Sequence, residues 1–337
     1  MLIDPTQASY SDGVTHSNQE KKPSSQTIGN KIDKIDHTNH DELTLSRLHS
    51  AQKYCYPQLG PSQELSIEVS DVALAVEAAV AIVINGIHYA VMMASPAQLY
   101  ELALGFLYSE GLIENSWELL DWEITPVKTA KDLTQFDQKG VNNDDIIGLA
   151  PLLLDYDAYM IELTLNQRCH QKILAQKRQL AGRTGCGMCG VIGLKQALPD
   201  LSPYAIRQDR LNQNRPSLDD LLTIKTLIEK TQSTHKLTGA VHAAATLYQG
   251  ELQLFEDVGR HNALDKLIGW KLSRKIELDL VVMTSRLSIE LVQKAIRCQL
   301  LWLVGMSAPT STAVQVAQRH GLGLAGFLRE NRATFYT

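Results

Sequence analysis

Cys186 and Cys189 stand at CxxC spacing in the run Gly182-Arg183-Thr184-Gly185-Cys186-Gly187-Met188-Cys189-Gly190. Glycine has no side chain to shield a neighbouring sulfur, and it tolerates backbone angles that other residues avoid, so the run reads as an exposed loop. That setting suits a reactive thiolate, whose chemistry follows exposure and a lowered pKa, better than a buried structural cysteine. Arg183 and the positive N-terminal end of a helix expected over Val191 to Leu198 would both favour the thiolate. Three chemistries use such a pair. Half of a tetrahedral zinc site needs two more ligands, for which Cys169-His170 is the nearest candidate pair, though not a standard half-site. A thioredoxin-type disulfide needs the pair at a helix start after a strand, usually with bulkier flanks. A carrier cysteine takes a sulfane sulfur as a persulfide and passes it on, a task suited to a tether that visits two partners.

A second set of reactive side chains falls where apolar runs end. Gly259-Arg260-His261-Asn262 is a strand end, a glycine turn and a helix start, and helix starts bind anions through their free N–H groups. Thr284-Ser285-Arg286 and Ser307-Ala308-Pro309-Thr310-Ser311-Thr312 end two further strands, and Arg329 and Arg332 follow the last one. Each alone reads equally well as helix capping. Together, in a chain of formal net charge −5, they suggest a local pocket for a phosphate-rich ligand. His242 in Thr238-Gly239-Ala240-Val241-His242-Ala243-Ala244 resembles the start of a zinc deaminase signature, but Ala244 stands where the glutamate general acid/base belongs. The CxxC also lies upstream of the histidine with Gly185 before it, so deamination is not expected.

The elements that must position these groups follow from periodicity. Residues 1–50 are polar, hold the scattered His16, His37, His40 and His49, and read as a disordered tail, with order from near Leu65. An N-terminal α/β domain is expected over residues 60–165. Ala79 to Ile84 and Ile87 to Met92 form a hairpin about Asn85-Gly86. A helix follows, with Ser95 as N-cap, Pro96 in its first position, Gln98 completing a capping box and Gly111 stopping it. Val127 to Gly148 reads as a polar loop, and Asp157 to Leu165 as a closing strand. Residues 166–215 are a linker helix, the CxxC loop and a polar connection. From residue 216 to 337, apolar strands alternate with helices, which implies a largely parallel sheet covered on both faces. There the strands are expected over Thr238 to Tyr248, Glu251 to Asp257, Leu278 to Thr284, Leu300 to Met306 and Leu322 to Leu328. The fold class is α/β, α+β overall.

Composition narrows the setting. The chain has 337 residues, enough for two domains, and is 44% hydrophobic. It has no apolar run long enough to span a bilayer, and its first residues lack the basic start and apolar core of a secretory signal, so a cytoplasmic protein without membrane contact is expected. Five cysteines argue against a disulfide framework, and the acidic balance against broad nucleic-acid binding.

The blocks NGIHYAVMMASPAQLYELALGFLYSEGLI, RTGCGMCG, TGAVHAAA, FEDVGRHNALDKLIG, MTSRLSIELVQKA, APTSTAVQVA and GFLRENRATFYT, in this order, resemble the FdhD family of formate dehydrogenase accessory sulfurtransferases, from about Leu65 to Thr337. The first fifty or so residues and the Val127–Gly148 stretch lie outside the likeness. The resemblance implies a C-terminal cytidine-deaminase-like α/β/α domain without catalytic zinc, a smaller N-terminal hairpin-plus-helix domain, and a homodimer. It implies a sulfur carrier that takes persulfide sulfur from an IscS-type cysteine desulfurase and delivers it to the molybdenum (or tungsten) bis-guanine-dinucleotide cofactor for the formate dehydrogenase apoenzyme. That cofactor is bound as substrate; no other cofactor or metal is implied. Cys186 matches the persulfide-carrying cysteine and Cys189 its companion. Phe327, Leu328, Arg329, Glu330, Asn331 and Arg332 match the family's cofactor-binding segment, with Arg260 and Arg286 as additional phosphate ligands from the reading above. The alternative from another class is a non-catalytic cofactor-binding chaperone whose CxxC holds zinc or a regulatory disulfide.

Overall fold

Strand structure appears within the stretch that composition assigned to the tail. In the computed structural model, which describes residues 45–55, 66–128, 156–181 and 198–337, strand β1 (Ser46–Cys55) pairs antiparallel with β2 (Ser66–Ala75) as a two-stranded ribbon. The last residues assigned to the tail, 46–50, are therefore strand. Both faces of the ribbon are largely exposed, so its sequence carries little of the apolar alternation that would reveal it.

Strands β3 (Ala78–Ile84) and β4 (Ile87–Ala94) form the expected hairpin. Asn85 and Gly86 take φ of 49° and 75°, the two positive angles of a type I′ turn. The Asn85 side chain donates to the Leu165 carbonyl (3.1 Å) and accepts from its N–H (2.9 Å), fixing the turn to the end of β6 (Ala158–Leu165). With β5 (Leu119–Pro126) these make a four-stranded sheet, order β4-β3-β6-β5, in which β3 and β6 are parallel.

Helix α1 (Leu99–Ser109) does not start as predicted. Gln98 is its N-cap with φ 52° and no side-chain cap. Ser95 is instead engaged far away in sequence: its N–H donates to Asp257 (3.1 Å), its Oγ accepts from Val258 N–H (3.2 Å) and its carbonyl accepts from Lys266 (3.2 Å). Three tertiary bonds to otherwise buried groups outweigh one local cap. The helix ends where expected, in a Schellman motif: Gly111 has φ 71°, and the N–H groups of Gly111 and Leu112 reach the Tyr108 and Leu107 carbonyls.

The larger sheet follows α2 (Gln167–Ala181) and the short α3 (Gln208–Gln213). Its elements are α4 (Leu218–Thr231), α5 (Ser233–Thr238), β7 (His242–Tyr248), β8 (Glu251–Asp257), α6 (Arg260–Arg274), β9 (Leu280–Met283), α7 (Ile289–Arg297), β10 (Trp302–Gly305), α8 (Ser311–His320), β11 (Gly323–Arg329) and β12 (Arg332–Phe335). The order is β12-β11-β10-β9-β7-β8, with β9, β10 and β11 parallel and the rest antiparallel. Alternate strand residues face opposite layers. Ala244, Met283, Leu303 and Leu324 meet α6, α7 and α8 through Leu264, Leu291 and Ala313, while Ala245, Val282, Val304 and Ala325 meet α4 through Leu221, Ile224 and Ile228. This is the expected three-layer α/β/α arrangement. Two details differ: β7 starts at His242, because Gly239 (φ 67°) first closes α5, and the short edge strand β12 was not foreseen.

The expected domain limits are crossed twice. Helix α1 packs on α6 at van der Waals contact of backbones, since a Cβ on Gly105 would fall on the Asp265 carbonyl and one on Gly269 on the Glu101 carbonyl. Leu201, Tyr204 and Ile206, placed in the linker by their polar surroundings, join the core under the larger sheet. Among the described residues no helix is long and apolar enough to cross a membrane.

Candidate functional site at the strand-end edge

The parallel strands β9, β10 and β11 end at one edge of the larger sheet, and α6, α7 and α8 begin there. The antiparallel β7 and β8 bring His242, the first residue of one, and Asp257, the last of the other, to the same edge. Thr284 ties that edge together: its Oγ1 accepts from Ala243 N–H (2.8 Å) and its own N–H donates to the Ala243 carbonyl (3.0 Å). Open sheets of this kind bind ligands outside the carboxyl ends of their strands.

Arg260 and His261 open α6 above a buried ion pair. Lys266 and Asp257, both fully buried, meet at 2.7 Å. Asp257 also accepts from Gly259 N–H (2.8 Å) and Asn262 Nδ2 (2.9 Å), and Lys266 donates to the Glu256 carbonyl (3.1 Å). Burial holds the Lys266 pKa below the ordinary lysine value, opposed by Asp257. Asp257 thus links the buried Lys266 to the Gly259 turn that precedes Arg260. A lysine amid Leu264, Leu267 and Ile268, all buried, was the available sequence sign of this pair.

The charge at the edge is positive. Burial lowers the His242 pKa, and Arg260, His235 and Arg286 lower it further. Burial likewise lowers that of His261, with Arg260 and Lys294 acting in the same sense and Glu290 and Glu110 against. Nε of Arg260 and Nε2 of His261 are buried without a hydrogen-bond partner. The Arg260 Nε–H always donates, and a buried donor is costly unless something accepts from it; an anion would, and it would also accept from a His261 ring that carries its proton on Nε2.

The C-terminal segment reaches the same edge two strands away from β9. Phe327 (φ 52°, 40% exposed) donates its N–H to the Ser307 carbonyl, and Arg329 donates to the Met306 carbonyl at 2.7 Å. Arg329, Glu330, Asn331 and Arg332 are exposed in and beside the β11–β12 turn. Leu328 is different: it is fully buried in the core on the α4 side and anchors the segment, so its expected place among ligand contacts is corrected. Arg286 is exposed at the end of β9. From β11 to β7 the row covers three strand spacings, about 14 Å.

Cys186 and Cys189, with Arg183 and the helix expected after them, lie outside the described residues, as do residues 1–44 and 129–155. The chain enters that stretch from α2 and leaves it towards Leu201 and Ile206, whose N–H donates to the carbonyl of His320 at the C-terminal end of α8, the edge opposite the cationic row. Cys169, the nearest alternative thiol, is buried in the first turn of α2. Burial first, then Glu118, pushes its pKa up to about 11, and the pocket of about 280 Å³ beside it is lined by Glu114, Glu118, Arg168 and Lys172. Among the described residues no group of three or more His, Cys, Asp and Glu could hold a metal ion.

Comparison with known proteins bears on this geometry. The FdhD/NarQ family model matches residues 75–337. The chain is similar to the sulfur carrier protein FdhD of Shewanella oneidensis, 37% identical over 266 residues, covering 77% of this chain and 83% of that one. It is similar also to the sulfur carrier protein FdhD of Acinetobacter baylyi, 35% identical over 261 residues, 77% and 84% of the two chains. A crystal structure assigned to a formate dehydrogenase accessory protein from Desulfotalea psychrophila shares the fold, with a TM-score of 0.55 at 19% identity, over 87% of this chain and 97% of that one.

Proposed function

The chain belongs to the FdhD/NarQ family, and from that premise we propose that it is a cytoplasmic sulfur carrier for formate dehydrogenase, loaded on Cys186 by a cysteine desulfurase and unloaded onto a molybdenum bis-guanine-dinucleotide cofactor held at the strand-end edge. The observation that carries the cofactor half is Arg260 and Arg286 beside helix N-termini with Arg329 and Arg332 in the β11–β12 turn at the same edge, and the buried Arg260 Nε–H left without an acceptor. Such donors suit phosphate oxygens, which take charge-assisted bonds.

The carrier half rests on Cys186 and Cys189 and on the relatives' names. The Cys186 thiolate attacks the terminal sulfur of a desulfurase persulfide. The S–S bond breaks and the desulfurase cysteine leaves as a thiolate, so no net redox change occurs. For release as hydrosulfide, the Cys189 thiolate attacks the inner sulfur of the Cys186 persulfide. A Cys186–Cys189 disulfide forms, and an external dithiol must reduce it before the next cycle. Cys186 follows Ala181 by five residues and Cys189 precedes Leu198 by nine, so an extended chain keeps their Cα atoms within about 18 Å of Ala181 and about 32 Å of Leu198 respectively.

Mass spectrometry after incubation with desulfurase and cysteine is the test. One added sulfur on Cys186, labile to dithiol, is expected. Stoichiometric zinc bound by both cysteines, with no sulfur adduct, would replace the carrier reading with a cofactor-binding chaperone.

A further inference from the structure

We propose that His242, His261, Arg260 and Arg286 form one subsite for a phosphate or diphosphate group, and that its histidines take up a proton as the anion binds. This rests on the reading of the edge as a nucleotide site and adds which side chains grip the phosphate and how pH governs that grip.

Topology brings the four together. His242 opens β7 directly beside the end of β9, where Arg286 follows Thr284 and Ser285, and Arg260 and His261 open α6 just after β8. Neither the Arg260 nor the Arg286 guanidinium makes a hydrogen bond or salt bridge among the described residues, although the Glu290 carboxylate is near enough to Arg260 to feel its charge, whereas the neighbouring buried cations are matched. Lys266 pairs with Asp257, and Lys294 pairs with Asp265 (3.0 Å) and Glu110 (2.9 Å). The groups acting on His242 are Arg260, His235 and Arg286, all cationic or titrating to cations. Those acting on His261 are Arg260 and Lys294 on one side, and Glu290 (Oε2 3.9 Å from Nε2) and Glu110 on the other.

The chemistry follows from this imbalance. With the subsite empty, burial first and then nearby cations, Arg260 at both rings, His235 and Arg286 at His242 and Lys294 at His261, favour the neutral imidazoles. An arriving phosphate neutralises the guanidiniums and accepts from Arg260 Nε. It also stabilises a protonated imidazole, because an opposite charge within hydrogen-bond reach favours the charged form. Proton uptake therefore accompanies binding, and affinity falls as pH rises through the range where the liganded histidine would titrate, by up to about tenfold per pH unit for one linked proton.

Calorimetry on the full chain, with inorganic pyrophosphate and with GDP, in two buffers of different ionisation enthalpy near neutral pH, measures the proton number. Wild-type protein should take up protons with both probes. His242→Gln and His261→Gln should each lower the uptake and flatten the pH dependence between about pH 6 and pH 8. The ligand's own titration is common to all variants and cancels in the comparison. Arg286→Ala, at an exposed position, should weaken pyrophosphate at least tenfold even if a histidine variant does not fold. Binding without proton uptake, uptake unchanged in both histidine variants, or no binding of either probe overturns the subsite. GDP binding that ignores these variants but is lost in Arg329→Ala/Arg332→Ala also overturns it, while leaving the nucleotide reading standing. Histidine-linked pyrophosphate binding with no added affinity for GDP supports the subsite and sinks the guanine nucleotide reading instead.

Discussion

Replacing Lys266 by Met tests how the site is held. The side chain is fully buried and meets three partners: the Asp257 carboxylate at 2.7 Å and the Ser95 and Glu256 carbonyls at 3.2 and 3.1 Å. Met fills a similar volume, so the loss is electrostatic rather than a cavity. Removing one member of a buried pair leaves the other charge uncompensated and costs about 3–5 kcal/mol. Asp257 keeps the N–H groups of Ser95 and Gly259 and the Asn262 amide, which favours the low end, about 3 kcal/mol. At roughly 2–3 °C per kcal/mol for a chain of this size, the expected fall in melting temperature is about 6–9 °C. The double variant with Asp257→Asn should recover part of it, with a coupling of about 1–3 kcal/mol in a double-mutant cycle read by urea denaturation. GDP affinity should fall too, because the Asp257 carboxylate that holds the Gly259 turn before Arg260 loses its counter-charge and can shift. A single-variant loss below about 1 kcal/mol, or strict additivity in the cycle, would refute the assignment of Lys266 as the group that holds α1, β8 and the α6 start together.

Cys186→Ala should abolish the sulfur adduct and formate dehydrogenase activation with a melting temperature within about 1 °C of wild type, whereas Cys189→Ala should stay loaded but unload slowly; equal loss of bound zinc and of stability in both, checked by metal analysis, contradicts this. Because β1 starts at Ser46, a chain lacking residues 1–44 should keep its circular dichroism, solubility and activation of formate dehydrogenase, and one cut within β1 should not. Gly105→Ala puts a methyl on the Asp265 carbonyl and should cost about 1–3 kcal/mol in denaturant. Arg329→Ala/Arg332→Ala should weaken GDP by at least tenfold in calorimetry while leaving sulfur loading by the desulfurase unchanged.

The elements with strong local signals were legible. Asn85-Gly86 has the backbone angles its residues demand, Ser217 and Asp220 form the capping box that opens α4, and Thr310 caps α8. The alternation of apolar strands and helices after residue 216 predicted the three layers and hence the shared edge for Arg260, Arg286 and the C-terminal arginines. What failed did so where tertiary contacts override local chemistry. Ser95 looks like a cap and is a link to Asp257, Val258 and Lys266. Leu328 sits inside a polar motif and points to the core. The polar stretch after the CxxC loop hides Leu201 and Ile206, which pack.

That failure at Ser95 changes how the two halves of the chain are understood. A single residue before α1 takes both ends of the buried Asp257–Lys266 pair, and the last residue of the same helix, Ser109, bonds Asp265 at 2.7 Å and Lys294 at 2.7 Å. Helix α1 is thus tied at both ends to α6 and α7, the helices whose N-termini frame the cationic edge. The four buried charged groups of this seam, Asp257, Lys266, Asp265 and Lys294, pair with one another, and Ser95 and Ser109 supply the further bonds that complete them. Helix α1 is therefore built into the frame of the proposed anion site rather than standing beside it, and a C-terminal fragment beginning near residue 216 should neither fold with native stability nor bind GDP.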